Sequence, residues 1–255
     1  EPASPRPGAT MATVGTDYIP ATGALLAGAE LWDVQTGQRL FRLATQEEGF
    51  YSICFSPDGQ KVVTASADKT AKLWDAQTGA VVRTFAAHNG PVLSAVFSPD
   101  GQQILTAACS GDQVARLWDV ETGALLQLYS EPQCELRSAA FSPAGDRGLL
   151  VGQNLLTYAG TVAIWTTQTA ERVCRFEPQR SLPVAAAFTS DGQRVLLGGM
   201  DGTIGLWDAA TARPVRTCDG HNNEVHAVAL SPDGRQVITA SQWFASRLWD
   251  AQTGE

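Results

Sequence analysis

A tryptophan, followed by aspartate in five of its six copies, recurs along the whole chain and constrains the fold more than any other feature. Successive copies are separated by 42, 44, 47, 42 and 42 residues. Such a period is typical of repeat architectures, in which each copy is one small structural unit. We expect six units, at about residues 1–44, 45–86, 87–129, 130–177, 178–219 and 220–255. The copies are Leu31-Trp32-Asp33, Leu73-Trp74-Asp75, Leu117-Trp118-Asp119, Ile164-Trp165-Thr166, Leu206-Trp207-Asp208 and Leu248-Trp249-Asp250.

Two turn signals keep register with these tryptophans. A Thr-Gly pair follows most of them, as at Thr78-Gly79, and a Ser-Pro-Asp-Gly segment such as 56–59, or a variant of it, precedes most of them. Both favour tight hairpin turns, in which glycine accepts a positive φ. Ala170 and Ala212 replace that glycine, so we expect those two turns either to differ from the others or to carry some strain. Runs of strand-forming residues lie between the turns, and four strands of about five residues account for each unit.

These signals resemble the WD40 family over essentially the whole chain. The resemblance implies an all-β fold, a β-propeller of four-stranded antiparallel blades with six repeat units. It also implies strand order a, b, c, d in each blade, a tryptophan at the end of strand c, and a central protein-binding channel. A single four-stranded blade cannot bury both of its apolar faces, so successive blades must stack.

The first and last blades are expected to be incomplete. Residues 11–17 align with 62–68, which places them on strand b, and the last unit ends before a strand d. Two explanations are open: a six-bladed ring without its closing segment, or part of a longer chain with seven or eight blades. We favour the second, because an open ring leaves unpaired strand edges. The missing strands would then come from the rest of the full-length chain.

The resemblance also implies a structural hydrogen-bond network in each blade, formed by a histidine before strand a, a hydroxyl on strand b, an aspartate in the b-to-c turn and the tryptophan. The third unit has His88 but Ala108 at the position taken for the hydroxyl, and we expect no unit to carry all four groups. The residues assigned to this network are Trp32, Ser66, Asp68, Trp74, His88, Asp112, Trp118, Trp165, Asp201, Trp207, His221, Ser241 and Trp249.

The sequence favours a non-catalytic scaffold for protein–protein interaction. Its histidines, serines and aspartates recur as scattered, incomplete copies at the blade period, whereas an enzyme needs one complete constellation. We therefore expect no catalytic, cofactor-binding or metal-binding residues. The five cysteines lie far apart without a Cys-x-x-Cys pair, which weakly favours a cytoplasmic protein.

Departures from the repeat in the b-to-c and d-to-a loops mark the expected partner surface, because these loops share one rim of such a blade. Exposed aromatic side chains there are typical of binding hot spots. The alternative is that they fold back over strand ends. The proposed protein-binding residues are Tyr18, Tyr51, Arg137, Tyr158, Arg180, Asn223, Trp243 and Phe244.

Two other functions stay open. One is a regulatory or sensor module of a larger protein, resembling bacterial proteins in which such repeats follow a kinase or nucleotide-binding domain. The other is a ligand-binding or hydrolytic propeller, which needs polar groups converging on the channel. A net charge of −8 disfavours nucleic acid as a partner, and the apolar stretches are too short to cross a membrane.

Overall fold

The chain folds into β-strands joined by tight turns, as seen in a computed structural model. The structure describes residues 10–19, 24–43, 49–109, 111–176, 182–219, 221, 223–231, 233–241 and 244–250. Only the backbone is described for residues 14–19, 24–27, 218, 219, 226, 244 and 245.

The strands form six antiparallel sheets, each of which is one blade. The first three blades contain β1 (Thr10–Ile19), β2 (Ala24–Asp33) and β3 (Arg39–Leu43); β4 (Phe50–Phe55), β5 (Lys61–Ser66), β6 (Thr70–Asp75) and β7 (Val81–Ala86); and β8 (Val92–Phe97), β9 (Gln103–Ala108), β10 (Val114–Asp119) and β11 (Leu125–Ser130). The others contain β12 (Cys134–Phe141), β13 (Arg147–Asn154), β14 (Gly160–Thr166) and β15 (Arg172–Phe176); β16 (Pro183–Phe188), β17 (Arg194–Gly199), β18 (Thr203–Asp208) and β19 (Pro214–Asp219); and β20 (Val225–Leu230), β21 (Gln236–Ser241) and β22 (Phe244–Asp250).

Within each blade the strands pair in chain order, and the first and last blades have three strands each among the described residues. The predicted class, an all-β fold of antiparallel propeller blades, is confirmed. Two compact units share the chain: Glu1–Asp112 with Arg116–Leu126, and Gln113–Ala115 with Gln127–Glu255.

Each unit has apolar cores between consecutive blades. In the first unit, Val63 and Leu73 of the second blade pack with Ile104 and Trp118 of the third. In the second unit, Leu149 and Val162 of the fourth blade share a core with Val195 and Leu197 of the fifth. Strands alternate their side chains between two faces, so the second blade packs against the first and third, and the fifth blade packs against the fourth and sixth.

The turns after the tryptophans are held by the aspartate that follows. Asp75 Oδ1 accepts hydrogen bonds from the amides of Gln77 and Thr78 at 3.0 and 2.8 Å, and Gly79 then adopts a φ of 68°. Ala170 and Ala212 adopt φ values of 53° and 58° in the equivalent turns. The strain expected there is confirmed, because a Cβ atom disfavours this left-handed conformation.

Candidate functional site

In the second, third and fifth blades, one end brings together the segment that precedes strand a and the turn that follows strand b. Backbone hydrogen bonds join the two at 2.9–3.0 Å, from Ala67 N to Gly49 O, Cys109 N to Pro91 O and Met200 N to Leu182 O. We call this end the entry edge of a blade. In the fourth blade, the same end carries the turn with Tyr158, which the sequence singled out.

The third blade has a complete hydrogen-bond network beside its entry edge. His88 Nδ1 contacts Asp112, and His88 Nε2 lies 2.7 Å from Thr106 Oγ1. That hydroxyl accepts a hydrogen bond from Trp118 Nε1 at 2.9 Å, and Arg116 donates to Asp112 from a neighbouring position. The expectation that no unit carries all four groups is therefore wrong for this blade. The hydroxyl comes from Thr106, two residues before Ala108.

Ser66 and Ser241 were also predicted to supply the network hydroxyl, and in both blades a threonine supplies it instead. Trp74 donates to Thr64 at 2.9 Å and Trp249 donates to Thr239 at 2.8 Å. Each threonine stands two residues beyond the strand b residue that pairs with its tryptophan, so it lies on the indole's face of the sheet. The serines donate instead to backbone carbonyls of the entry segment, Gly49 O at 3.4 Å and Asn223 O at 3.1 Å.

Most of the other residues assigned to the network form some of its hydrogen bonds but not all of them. Asp68 accepts from Thr70 and Lys72, and Asp201 from Thr203, so each holds its own turn. His221 Nε2 lies 2.7 Å from Thr239 Oγ1, as in the third blade. Trp32 donates to Thr13 at 3.0 Å, and Trp207 stacks on Phe176.

Burial sets the charge state of the third-blade network. Burial removes water from the His88 imidazole and lowers its pKa to about 4. The Arg116 charge adds to this decrease, and Asp112 opposes it. Burial would raise the pKa of Asp112, but hydrogen bonds from Arg116 and His88 outweigh it, and the pKa is lowered. At neutral pH the network is a neutral imidazole beside a buried Asp–Arg pair. This arrangement joins the segment before strand a to strands b and c of the blade.

The fourth blade satisfies its tryptophan in a different way, which the sequence analysis missed. Trp165 pairs with Gly148, so Leu150 stands where the first, second, third and sixth blades have threonine. Glu131, with a fully buried side chain, accepts the Trp165 Nε1 hydrogen bond at 3.1 Å. Its other oxygen lies 3.8 Å from Nη1 of both Arg172 and Arg175. Burial raises the pKa of Glu131, and the two arginines oppose this increase.

We expect Glu131→Gln to raise the thermal midpoint at pH 8. The pKa of Glu131 is higher in the folded protein, so its stabilising contribution is present at low pH and is lost as pH rises through that pKa. Glutamine keeps an acceptor for Trp165 without the buried charge. Glu131→Ala removes the acceptor and should cost about 1–3 kcal/mol. Thermal unfolding at pH 8 and pH 4 tests both, with the exposed Glu121→Gln as control. An equal gain at both pH values would contradict this account.

The turn between β13 and β14 projects apolar side chains from the fourth blade. Asn154 Oδ1 accepts the amides of Leu156 and Thr157, both at 2.9 Å, as Asp75 does in its turn. Tyr158 takes the glycine position with a φ of 58°. Leu156 and Tyr158 are 68% and 73% exposed, so the turn is well bonded although its tip is apolar.

This turn is fixed to the rest of the entry edge. Leu155 N donates to Gln133 O at 2.7 Å. Arg137 donates to the Gln153 amide oxygen at 3.3 Å, and the amide nitrogen of Gln153 donates to Tyr158 O at 3.3 Å. Arg137 and Tyr158, two of the proposed partner residues, are thus joined through Gln153.

The other proposed partner residues are more dispersed. Tyr51 on β4 of the second blade is 53% exposed, at a β-bulge between Phe50 and Ser52. Arg137 occupies the equivalent bulge of β12, and such bulges re-aim a side chain. Asn223 is half-buried and caps Glu224 N. Arg180 and Trp243 lie outside the described part of the chain. Tyr18 and Phe244 are described by their backbone alone.

Strands β12, β16 and β20 of the second unit border a cavity of about 350 Å³. The described residues that line it are apolar or serine. Among the described residues, no group of three or more His, Cys, Asp or Glu side chains could hold a metal ion, and no helix is long and apolar enough to cross a bilayer. The cavity therefore offers apolar surface and a few hydroxyls to a ligand.

A comparison with family models agrees with these blades. The model described as "WD domain, G-beta repeat" matches residues 37–75, 79–119, 173–208 and 212–250, which together make up more than half of the chain. Each match ends at the residue after a repeating tryptophan, and no match covers the fourth tryptophan. No curated protein sequence matches the chain.

Proposed function

Because the chain belongs to the WD40 family, we propose that it is a non-catalytic scaffold that binds another protein at the entry edge of its blades. The observation that carries this proposal is the turn of the fourth blade, where Leu156 and Tyr158 are exposed on a hydrogen-bonded backbone. A preorganised aromatic group loses little conformational freedom on binding, and aromatic side chains are enriched at hot spots.

Backbone strain at Tyr158 supports a role beyond packing. Glycine occupies the equivalent position of the Asp75 turn, where the left-handed conformation costs little. A tyrosine with a positive φ is less favourable in conformational free energy than a glycine, and burial of the Tyr158 ring does not offset this. Strained residues of this kind cluster at functional sites. Arg137 and Gln153 hold the turn and add polar groups beside the apolar tip.

The proposal predicts a specific loss of binding. Leu156→Ser with Tyr158→Gly removes the apolar tip and keeps a backbone that glycine tolerates. With the protein immobilised, we expect this variant to retain at least about tenfold less partner from a cell extract, since truncation of hot-spot residues costs about 2 kcal/mol or more. The matched control is Val81→Ser with Val82→Ser, an exposed apolar pair at the start of β7. Equal retention by both variants would refute the proposal.

A regulatory module within a larger protein is the second candidate. The same entry edge would then bind a domain of its own protein rather than a separate partner. The family resemblance supports both candidates, because a propeller fold does not by itself specify the partner. Retention of a neighbouring domain in place of a separate protein would favour this second candidate.

A further inference from the structure

Aromatic rings from strand d pack on the tryptophan of the next blade at three places. Ring centroids are separated by 5.5 Å for Phe85 and Trp118 and by 5.0 Å for Phe176 and Trp207. Tyr129 is 5.8 Å from Trp165 in the same way. The tryptophans of the third, fourth and fifth blades therefore each pack against an aromatic ring from strand d of the preceding blade.

The fifth blade lacks this ring. Phe85 and Phe176 pair with Ala71 and Val162, each three residues before the tryptophan of its blade. The residue at that register in β19 is Cys218, which pairs with Ile204. Cysteine has a much smaller side chain than the phenylalanine that stands at this register in the second and fourth blades.

A cavity of about 270 Å³ lies between the fifth and sixth blades, beside Trp249. Trp249 is half-buried, whereas Trp118 is 5% exposed in its filled site. Asp191 and Asp233 at the mouth accept backbone hydrogen bonds in their own turns at 2.9 and 3.0 Å, which fixes its shape. The apolar lining consists of Leu196, Ile204, Leu206, Leu230, Val237 and Trp249.

We infer that this cavity binds an aromatic side chain of the partner protein, which takes the place that a phenylalanine of strand d occupies in other blades. The inference rests on the proposed scaffold function. An aromatic ring in the cavity would pack on Trp249 as Phe85 packs on Trp118, and the charged mouth would leave the partner's backbone in water. Pockets of this kind commonly receive the aromatic anchor of an interface.

Titration of the ¹⁵N-labelled protein with N-acetyl-L-phenylalanine amide tests this inference. We expect the indole N–H signal of Trp249, assigned with Trp249→Phe, to shift with saturation at a Kd on the order of 1 mM. N-acetyl-L-leucine amide should shift it far less. A linear shift without saturation, or equal shifts with the two amides, would overturn the inference.

Cys218→Phe fills the register position and should abolish the saturable shift. The control is Thr217→Phe, at an exposed neighbouring position of β19, which should leave it unchanged. If Cys218→Phe does not give a folded spectrum, Leu230→Phe narrows the cavity from the opposite blade and should have the same effect. Binding that survives in the folded variant contradicts the inference. The capture experiment uses a different surface, so loss of probe binding alone refutes the cavity inference and leaves the scaffold proposal intact. Equal retention in the capture experiment refutes binding at the entry edge, and the two failures are therefore distinguishable.

Discussion

Replacing Asp112 with alanine is expected to lower the free energy of unfolding by about 3–5 kcal/mol, because it breaks a buried ion pair. The Asp112 side chain is 2% exposed and accepts from both Arg116 and His88. Its removal leaves the largely buried Arg116 charge without the carboxylate that pairs with it. Tryptophan fluorescence and circular dichroism during urea unfolding measure the loss.

The matched control is Asp68→Ala in the second blade. Asp68 occupies the equivalent turn and contacts Lys72, but the two side chains are 26% and 15% exposed. Water can replace the lost contact, so we expect a cost of about 1 kcal/mol or less. Similar losses at both positions would show that burial of the third-blade network is not what stabilises it.

Acid is expected to destabilise the protein as pH falls from about 6.5 to 4. The pKa of His88 is lowered from 6.5 to about 4 in the folded state, so the unfolded chain binds a proton in this range and the folded protein does not. Stability from the neutral imidazole is therefore present above pH 6.5 and is lost as pH falls towards 4. The contribution is about 3 kcal/mol over this interval.

His88→Gln isolates this contribution. Glutamine does not titrate, so the slope of unfolding free energy against pH should decrease by about 1.4 kcal/mol per pH unit near pH 5. A smaller slope should persist, because the pKa of His221 is lowered too, mainly by burial. Urea unfolding at half-unit pH steps provides the measurement. Parallel pH profiles for the two proteins would contradict a neutral, buried His88.

The blades could be predicted from sequence because their turns are local. Proline, aspartate and glycine at fixed offsets define a hairpin without help from the rest of the chain. The hydroxyl of the network is different, since Thr64 and Ser66 lie on the same face of a strand and only the strand pairing selects one. A spacing of ten residues before Trp74 and Trp249 was the signal that could have identified Thr64 and Thr239.

The site of the fourth blade was predicted only as a departure from the repeat that contains Tyr158. Asn154-x-x-Thr157 repeats the spacing of Asp75-x-x-Thr78, so the shape of the turn was readable from the sequence. Its link to Arg137 was not, because that contact depends on a bulge in β12. Glu131 was missed because its role appears only when Leu150 replaces the threonine beside Trp165.

Photo-cross-linking from position 158 tests the scaffold proposal most directly. A benzophenone side chain at Tyr158 would report which protein lies against the turn of the fourth blade, and the same group at Val82 on β7 is the control. We predict that irradiation in a cell extract links one protein at position 158 and that Leu156→Ser weakens this link. No adduct at position 158, or the same adducts from both positions, would contradict the proposal.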